Sequence, residues 1–321
     1  MGFIRYKLFQ KNYILLTIII AVFLLVIFTL YGITDKNPET VNIGYLPTDH
    51  DAALFVANAT GMYEKAGMEV KLYEYNNGGD LMSAMASGDL DVGYVGITPA
   101  IYSVSKGVPI KIVAGAQNEG SGLLCHDSSV KSIKDLKCKT VATPGEASVQ
   151  SVLLKYDLKK NGLNTNDIES PTMKVSSMND ALKTKGIDAM LTYEPYVTIS
   201  KEINNQTLVE SSKDILPNHP CCVVVMNEKF LSEHPNNAKK VLDIHKNATD
   251  KIKANPKEMV QYLPQHIVPN AEIEKESLTH IQWASDLNDT YKENVINFLN
   301  IERELGIINE TVPQEKLFTK I

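Results

Sequence analysis

The sequence contains four cysteines, one tryptophan and no arginine between Arg5 and Arg303. Four cysteines in 321 residues, none of them with the paired spacing of a zinc module, argue against a zinc domain and a disulfide scaffold. The net charge of -6 at pH 7 argues against a nucleic-acid-binding protein, because such proteins need basic surface to displace counterions from phosphate. The length and the otherwise ordinary composition predict one large or two medium globular domains.

Common catalytic motifs are absent as well. The sequence contains no G-x-S-x-G, H-E-x-x-H, P-loop or C-x-x-C pattern. The segment Asp49-His50-Asp51 could suggest metal binding or acid–base chemistry, but neighbouring residues on a loop rarely converge on one ion. A turn that enters a helix is the simpler interpretation. We therefore expect no catalytic residues, no metal ligands and no cofactor.

One long stretch without charge lies near the N-terminus, at residues 13–33. At about 1.5 Å per residue, this stretch spans the roughly 30 Å hydrocarbon core of a bilayer. Arg5, Lys7 and Lys11 precede it, and the positive-inside bias places them in the cytoplasm. We expect a cytoplasmic tip of residues 1–12, a transmembrane anchor of residues 13–33, a linker of residues 34–40 and an extracellular or periplasmic domain on a single-pass protein of the cell membrane. A cleaved signal peptide is the alternative, although its apolar region is usually about 7–15 residues long.

Beyond residue 40, short β-like runs alternate with helix-like runs, and the alternation starts again near residue 123. After a last β-like run the chain is chiefly helical, with three longest segments at Asn237–Ala254, Lys257–Leu263 and Ile281–Leu305. Strands that alternate with helices predict βαβ units, mainly parallel sheets and an α/β fold. The sequence also has a weak repeat, in which a helix ends at glycine and a strand opens with aspartate. It occurs at Gly88 and Asp91 and again at Gly186 and Asp188. This repeat predicts two similar lobes.

Ligands of α/β proteins bind beyond the carboxyl ends of strands, where loops present backbone N–H groups and helix N-termini. The loops in that position are Pro47–Asp51, Gly96–Thr98, Gln117–Gly122, Pro144–Ser148 and Thr192–Tyr196. Helix N-termini that face each other suit an anion or a strongly polar small molecule. Taken singly, each loop is also explained by ordinary helix capping.

Five segments, in order along the chain, carry a family resemblance: Gly44–Pro47 (GYLP), Gly61–Val70 (GMYEKAGMEV), Gly78-Gly79, Ala84–Gly93 (AMASGDLDVG) and Thr192–Tyr196 (TYEPY). Together they resemble the nitrate/sulfonate/taurine-binding family, the substrate-binding proteins of ABC importers. The resemblance implies a two-lobed type II periplasmic-binding-protein fold, in which each lobe is a mainly parallel sheet flanked by helices. It places residues 41–118 and 221–321 in lobe I and residues 119–220 in lobe II, with crossings near Asn118–Gly122 and Asn218–Cys222.

The resemblance also implies which residues contact the ligand between the lobes: His50, Asp51, Gly96, Thr98, Gln117, Gly145, Ser148 and Glu194. We expect Thr98 and Ser148 to act as hydroxyl donors beside their loop amides, and His50 as the leading side-chain donor. Because the cleft has no arginine, backbone amides, hydroxyls, histidine or lysine must hold an anion. Glu146 would repel an anion if it faced the cleft, and we expect it to cap its own helix instead.

These features predict a monomeric, extracytoplasmic substrate-binding protein that captures a small polar or anionic solute, such as a sulfonate, taurine or nitrate, and delivers it to the permease and ATPase of an ABC importer. We do not expect an enzyme. Three alternatives remain open: a binder of a thiamine-precursor pyrimidine, a surface sensor, and an enzyme that uses the same cleft.

The cysteines also allow several interpretations. Cys125 lies just past the first crossing and Cys221-Cys222 at the second, so a disulfide across the hinge is conceivable. Cys138 could instead pair with Cys125. Adjacent cysteines in an apolar strand point to opposite faces and are more often buried thiols.

Overall fold

The computed structural model describes residues 40–268, 270–319 and 321. The predicted cytoplasmic tip, the transmembrane anchor and nearly all of the predicted linker lie outside these residues. Among the helices that are described, none combines the length and the apolar character that a membrane crossing needs. Val41–Ile321 forms one compact unit.

The described residues form strands β1 Thr40–Tyr45, β2 Glu69–Glu74, β3 Val92–Gly96, β4 Ile110–Glu119, β5 Ser121–Cys125, β6 Val141–Ala142, β7 Ala189–Tyr193, β8 Thr207–Ser211, β9 Pro220–Asn227 and β10 Ile281–Trp283.

The α-helices between and after these strands are α1 Ala52–Ala59, α2 Met62–Lys65, α3 Gly78–Ser87, α4 Ile97–Ser105, α5 Val149–Lys160, α6 Val175–Lys183, α7 Tyr196–Thr198, α8 Ser212–Ile215, α9 Glu228–Glu233, α10 Pro235–Ala254, α11 Pro256–Met259, α12 Ala271–His280, α13 Asp289–Glu304 and α14 Gln314–Leu317. Short 3₁₀ turns lie at Asp49–Asp51, Ile133–Leu136, Thr165–Asp167 and Val260–Tyr262, and a π-helical turn lies at Ile199–Ile203.

The strands form two sheets. The larger has six strands in the order β10-β4-β9-β3-β1-β2, and the smaller has four in the order β6-β7-β5-β8. The prediction of mainly parallel sheets is wrong: β1–β3 and β6–β7 are parallel, whereas β3–β9, β4–β9, β10–β4, β5–β7 and β5–β8 are antiparallel. In the larger sheet, the physical reason for the antiparallel pairs β3–β9 and β4–β9 is the return of the chain, because β9 comes back from the smaller sheet and inserts between β3 and β4 in the opposite direction.

Strand β9 is the centre of the larger sheet. All of its residues are buried, and Val223, Val224 and Val225 supply the β-branched side chains that suit a strand covered on both faces. Pro220 stands at its first position, where the missing N–H costs the ladder least. The sequence analysis predicted a last β-like run at this place, and the structure has strand β9 there.

The chain passes from the larger to the smaller sheet at Gly120, between β4 and β5, and returns between β8 and β9. Glu119, Gly120 and Asn218 all have positive φ, and the carboxylate of Glu119 accepts a hydrogen bond from the Asn218 N–H at 2.8 Å. The two connections are therefore tied together where they pass between the sheets. The lobe boundaries at residues 118/119 and 220/221 stay a prediction.

The C-terminal segment differs from the sequence prediction in one element. The stretch Ile281–Leu305 was expected to be one helix, but Ile281–Trp283 is strand β10, which pairs antiparallel with the end of β4. Helix α13 begins only at Asp289, where Asn288 caps it by accepting from the N–H of Tyr291. Apolar spacing cannot separate a three-residue strand from the first turn of a helix.

Candidate functional site

A cleft of about 550 Å³ opens between the loops of the two sheets. Its walls come from the loops after β1, β2 and β3 on one side, and from the loops that precede α5, α6 and α7 on the other. The carboxyl ends of strands from both sheets therefore face one shared space, as the sequence analysis predicted for a ligand site.

Four helix N-termini meet this cleft. The first residues or caps of α3 (Asn77), α4 (Gly96), α5 (Ser148) and α6 (Lys174) all line it. Each helix has at least nine residues, and the unpaired N–H groups of its first turn carry partial positive charge. Their convergence makes the cleft favourable for a negatively charged group.

The cleft backbone needs glycine at two of these loops. A Cβ on Gly78 would lie 2.7 Å from Cγ of Pro99, so a larger residue would push α3 away from α4. Gly145 has a φ of 133°, a conformation that favours glycine. These residues shape the cleft wall rather than supply chemical groups to it.

The eight residues that the sequence analysis named fall into two groups. His50, Gly96, Gly145 and Ser148 line the cleft. The side chain of Ser148 is already engaged, since its Oγ donates to the Gly145 carbonyl at 2.6 Å and accepts from the Ser151 N–H at 3.1 Å.

Asp51, Thr98, Gln117 and Glu194 are buried but do not line the cleft. Asp51 accepts a hydrogen bond from the Leu46 N–H at 3.0 Å, which holds the loop after β1 in place. Thr98 faces the buried carboxyl of Glu302 on α13, on the side of α4 away from the cleft. Gln117 packs behind His50, with its Nε2 2.6 Å from His50 Nδ1.

Glu194 belongs to a buried polar cluster beside the crossing. It accepts hydrogen bonds from the N–H of Thr198 at 2.9 Å, from its hydroxyl at 3.0 Å, and from Nδ1 of His280 at 3.0 Å. Ser277 donates to Asp49 at 2.6 Å and also lies 3.4 Å from Glu194. This cluster joins α12 to the turn after β7.

Cleft-lining residues that the sequence analysis did not name as ligand contacts include Cys221, Cys222, Tyr193, Tyr196 and Lys174. The two sulfurs lie 3.7 and 3.8 Å from Nδ1 of His50, so the three side chains form a thiol–imidazole group on the cleft floor. The ring of Tyr193 lies 5.4 Å from the His50 ring and 6.1 Å from the Tyr196 ring, measured between centroids. The CC pair was visible in the sequence, but nothing local showed that both sulfurs reach one histidine.

The pKa values of the three side chains in the thiol–imidazole group are strongly shifted. Burial lowers the pKa of His50, but the negative Cys221, the hydrogen bond to that thiol and the charges of Asp49 and Asp51 outweigh it and raise the pKa to about 9. The hydrogen bond from Cys222 holds the pKa of Cys221 well below its usual range. Burial opposes this shift, and the positive charge of His50 adds to it. The same hydrogen bond, followed by burial, raises the pKa of Cys222 well above its usual range.

The charged side chains of the cleft are unevenly paired. Glu74 accepts hydrogen bonds from His266 at 2.9 Å and Tyr45 at 3.2 Å, and Glu146 forms an ion pair with Lys155. Lys174 is exposed, and its ammonium makes no ion pair with any described carboxylate. The lysine therefore adds to the positive character of the helix N-termini.

The structure also shows which residues could hold a metal. Of the described residues, His50, Cys221 and Cys222 are the set whose ligand atoms lie within 4.8 Å of one another. Two sulfurs and one imidazole nitrogen are donors that Zn²⁺ and other soft cations accept. All four cysteines, including Cys125 and Cys138, are free thiols, so neither of the disulfides that the sequence left open is formed.

Comparisons with known proteins agree with this architecture. The NMT1-like family matches residues 34–265. The chain is 27% identical over 251 residues to a protein of Brucella abortus (strain 2308) that bears the name "Putative binding protein", with 77% of each chain covered. It is 23% identical over 251 residues to a 4-amino-5-hydroxymethyl-2-methylpyrimidine phosphate synthase of Saccharomyces cerevisiae, with 72% of each chain covered.

Among solved structures, the alkanesulfonate-binding protein from Xanthomonas axonopodis pv. citri bound to MOPS superimposes with a TM-score of 0.78. The two chains are 17% identical, and the match covers 89% of this chain and 100% of that one. The predicted resemblance to the sulfonate- and nitrate-binding proteins of ABC importers is thereby confirmed. The chain belongs to the NMT1-like family and has the α/β fold of the periplasmic binding proteins.

Proposed function

We propose that this chain is the extracytoplasmic solute-binding protein of an ABC importer and that it captures a small anionic solute in the cleft between its two sheets. The observation that carries the proposal is the meeting of four helix N-termini, from α3, α4, α5 and α6, in one cleft. An anion there would receive backbone N–H donors from both sides without any arginine. Closure around the solute would strengthen these bonds by removing water.

The charge balance of the cleft supports an anion over a cation. Glu74 and Glu146 are both engaged by cationic or hydrogen-bonding neighbours, whereas Lys174 makes no ion pair with a described carboxylate. The alkanesulfonate-binding neighbour makes a sulfonate the first solute class to test. We expect the bound protein to act as a monomer that delivers its solute to a permease and its ATPase, held at the membrane by the predicted anchor of residues 13–33.

A thiamine-precursor pyrimidine is the second candidate. Tyr193 and Tyr196 present two aromatic rings to the cleft, at an interplanar angle of 78°, and a flat heterocycle could stack against one of them. The pyrimidine is chosen as the solute class because the yeast relative bears the name of a pyrimidine phosphate synthase. We propose binding rather than synthesis, because the solved neighbours of this fold are described as binding proteins.

The test is thermal unfolding of the purified full-length chain with MOPS, taurine, nitrate and a hydroxymethylpyrimidine, each titrated separately. A solute that binds only the folded state adds about 2.7 kcal/mol of stability at 100 times its Kd. We expect saturable stabilisation by a sulfonate, and recovery of that sulfonate unchanged by mass spectrometry. Stabilisation by the pyrimidine alone would replace the anion proposal with the second candidate, and a changed mass of the solute would indicate an enzyme.

A further inference from the structure

Cys221 and Cys222 form a dithiol whose two sulfurs face the same side of the chain. Consecutive residues of a regular strand point to opposite faces, yet both sulfurs lie within 3.8 Å of one nitrogen, Nδ1 of His50. The register of β9 against β4 shifts at this point, because Cys222 lies opposite Gln117 and Pro220 opposite Asn118. Such an irregularity re-aims side chains, and it leaves Cys221 without a partner residue on β4.

Both thiols border the cleft. Cys221 is 2% exposed and Cys222 is 6% exposed, and both contribute to the cleft wall. Cys125 offers a contrast, because its buried sulfur donates to the Asp188 carbonyl at 3.1 Å and does not line the cleft. Cys138 is an exposed thiol outside the cleft.

We propose that Cys221 and Cys222 are a reactive dithiol that exchanges with small disulfides entering the cleft. Cys221 attacks one sulfur of the disulfide RSSR, the S–S bond breaks, and one RS⁻ leaves while a Cys221–S–S–R bond forms. The proton of Cys222 passes to the released RS⁻ or to water, and the Cys222 sulfur then attacks the Cys221 sulfur and displaces the second RS⁻. In the complete reaction the two protein thiols are oxidised to one disulfide, and RSSR is reduced to two RSH.

The product is expected to be easily reversed. The Cα atoms of adjacent residues are about 3.8 Å apart, which is shorter than the roughly 4.4–6.8 Å of relaxed disulfides. The resulting ring is strained, and strained disulfides are readily reduced. The site therefore suits a reversible modification rather than a structural bridge. This inference goes beyond the proposed function and does not rest on it.

The test uses the full-length chain in a Cys138→Ser background, with EDTA present so that trace metal cannot cover the thiols. The probe is 5,5′-dithiobis(2-nitrobenzoate), whose aryl thiolate is counted by absorbance, with the intact protein mass measured in parallel. We expect two equivalents of aryl thiolate, no retained adduct and a loss of two hydrogens. Dithiothreitol should restore both thiols.

Two matched variants assign the roles. In Cys222→Ser we expect one equivalent of aryl thiolate and a stable adduct on Cys221, because the resolving thiol is gone. In Cys221→Ser we expect at least a roughly tenfold slower release, while unfolding curves of both variants report whether they fold. Two retained adducts in the parent protein, reaction at Cys125 instead, or equal rates in the two variants would each overturn the proposal.

Discussion

His280 donates a hydrogen bond from Nδ1 to Oε1 of Glu194 at 3.0 Å, and this pair joins the end of α12 to the turn after β7. Glu194 was predicted to contact the ligand, but its carboxylate is satisfied by His280 and by the backbone and hydroxyl of Thr198. The contact connects an element of the six-stranded side of the molecule with one of the four-stranded side. We therefore interpret Glu194 as a residue that positions the two sides of the cleft.

The first prediction concerns the pH dependence of this pair. The hydrogen bond to Glu194, acting against burial, raises the pKa of His280 above its usual 6.5. A histidine whose folded pKa is raised stabilises the fold fully below about 6.5, and this contribution is lost as pH rises through the folded pKa. In urea unfolding from pH 6 to 9, His280→Asn should remove that decline. Glu194→Gln should remove the same decline, and the double variant should show no further change; additive losses would contradict the pairing.

The second prediction concerns a proton on Glu274. Its carboxyl is fully buried and faces Asp49. If both groups were ionised, neither could donate a hydrogen bond to the other, and both oxygens of Glu274 would lack a partner. Burial first, then the charge of Asp49, raises the pKa of Glu274 to about 10, so that at neutral pH the carboxyl is protonated and can donate to Asp49. In the unfolded chain Glu274 releases this proton near pH 4.5, whereas the folded protein keeps it up to about pH 10. The folded state therefore loses stability as pH rises from about 4.5 to 10.

Glu274→Gln keeps a donor toward Asp49 without a proton that can be lost. We expect the variant to be more stable than the parent above pH 7. The slope of its unfolding free energy against pH should correspond to up to one fewer proton released on unfolding. Urea unfolding between pH 5 and 9 measures both quantities. Glu272→Gln, at an exposed position of the same helix where the carboxylate pairs with Lys275 and not with His280, is the matched control for loss of one carboxylate. An unchanged slope in Glu274→Gln would contradict a buried, protonated Glu274.

The cleft loops could be predicted from the sequence because their signals are local. Gly96 and Ser148 stand immediately before helical segments, where a glycine or a capping hydroxyl marks a helix start, and both line the cleft. Strand β9 was also predictable, because the run from Val223 to Val225 has strong β propensity. Its antiparallel direction was not, since direction depends on how the chain returns between the sheets.

The residues that sequence reasoning misplaced depend on distant parts of the chain. Thr98 faces Glu302, which lies about two hundred positions later, so its hydroxyl serves the interior rather than the cleft. Cys221 and Cys222 share one side of the chain only because the β4–β9 register shifts beside them. Neither relationship leaves a pattern within a window of ten or twenty residues.

The third prediction separates capping from ligand binding at Ser148. Its Oγ accepts from the Ser151 N–H, so Ser148→Ala should cost about 1 kcal/mol of unfolding free energy, whereas Ser148→Gly should cost only a few tenths. Urea unfolding without added solute measures this cost. Ser176→Ala, at an exposed cleft position on α6, is a control for removal of a cleft hydroxyl. A loss of sulfonate affinity in Ser148→Ala with unchanged stability would show instead that the hydroxyl serves the ligand.

The fourth prediction tests the positive character of the cleft through Lys174. Lys174 is the N-cap residue of α6, and its exposed side chain makes no capping hydrogen bond and no ion pair with a described carboxylate, so the ammonium is available to an anionic solute. An exposed charge pair contributes up to about 1 kcal/mol, and Lys174→Gln should therefore weaken binding of a sulfonate about fivefold in low salt. Lys174→Glu should weaken it further, and both effects should shrink at high salt because of screening.

The matched control for Lys174 is Lys183→Gln. Lys183 ends the same helix, about 13 Å further along its axis and away from the cleft lining, so its loss removes one positive charge without touching the solute. Isothermal titration of MOPS at two salt concentrations compares the three variants with the parent. If the parent binds MOPS and Lys174→Gln behaves like Lys183→Gln, then the helix N-termini hold the anion without the lysine. If Lys174→Glu binds MOPS more tightly than the parent, the solute presents its cationic end to α6, and the sulfonate does not contact Lys174.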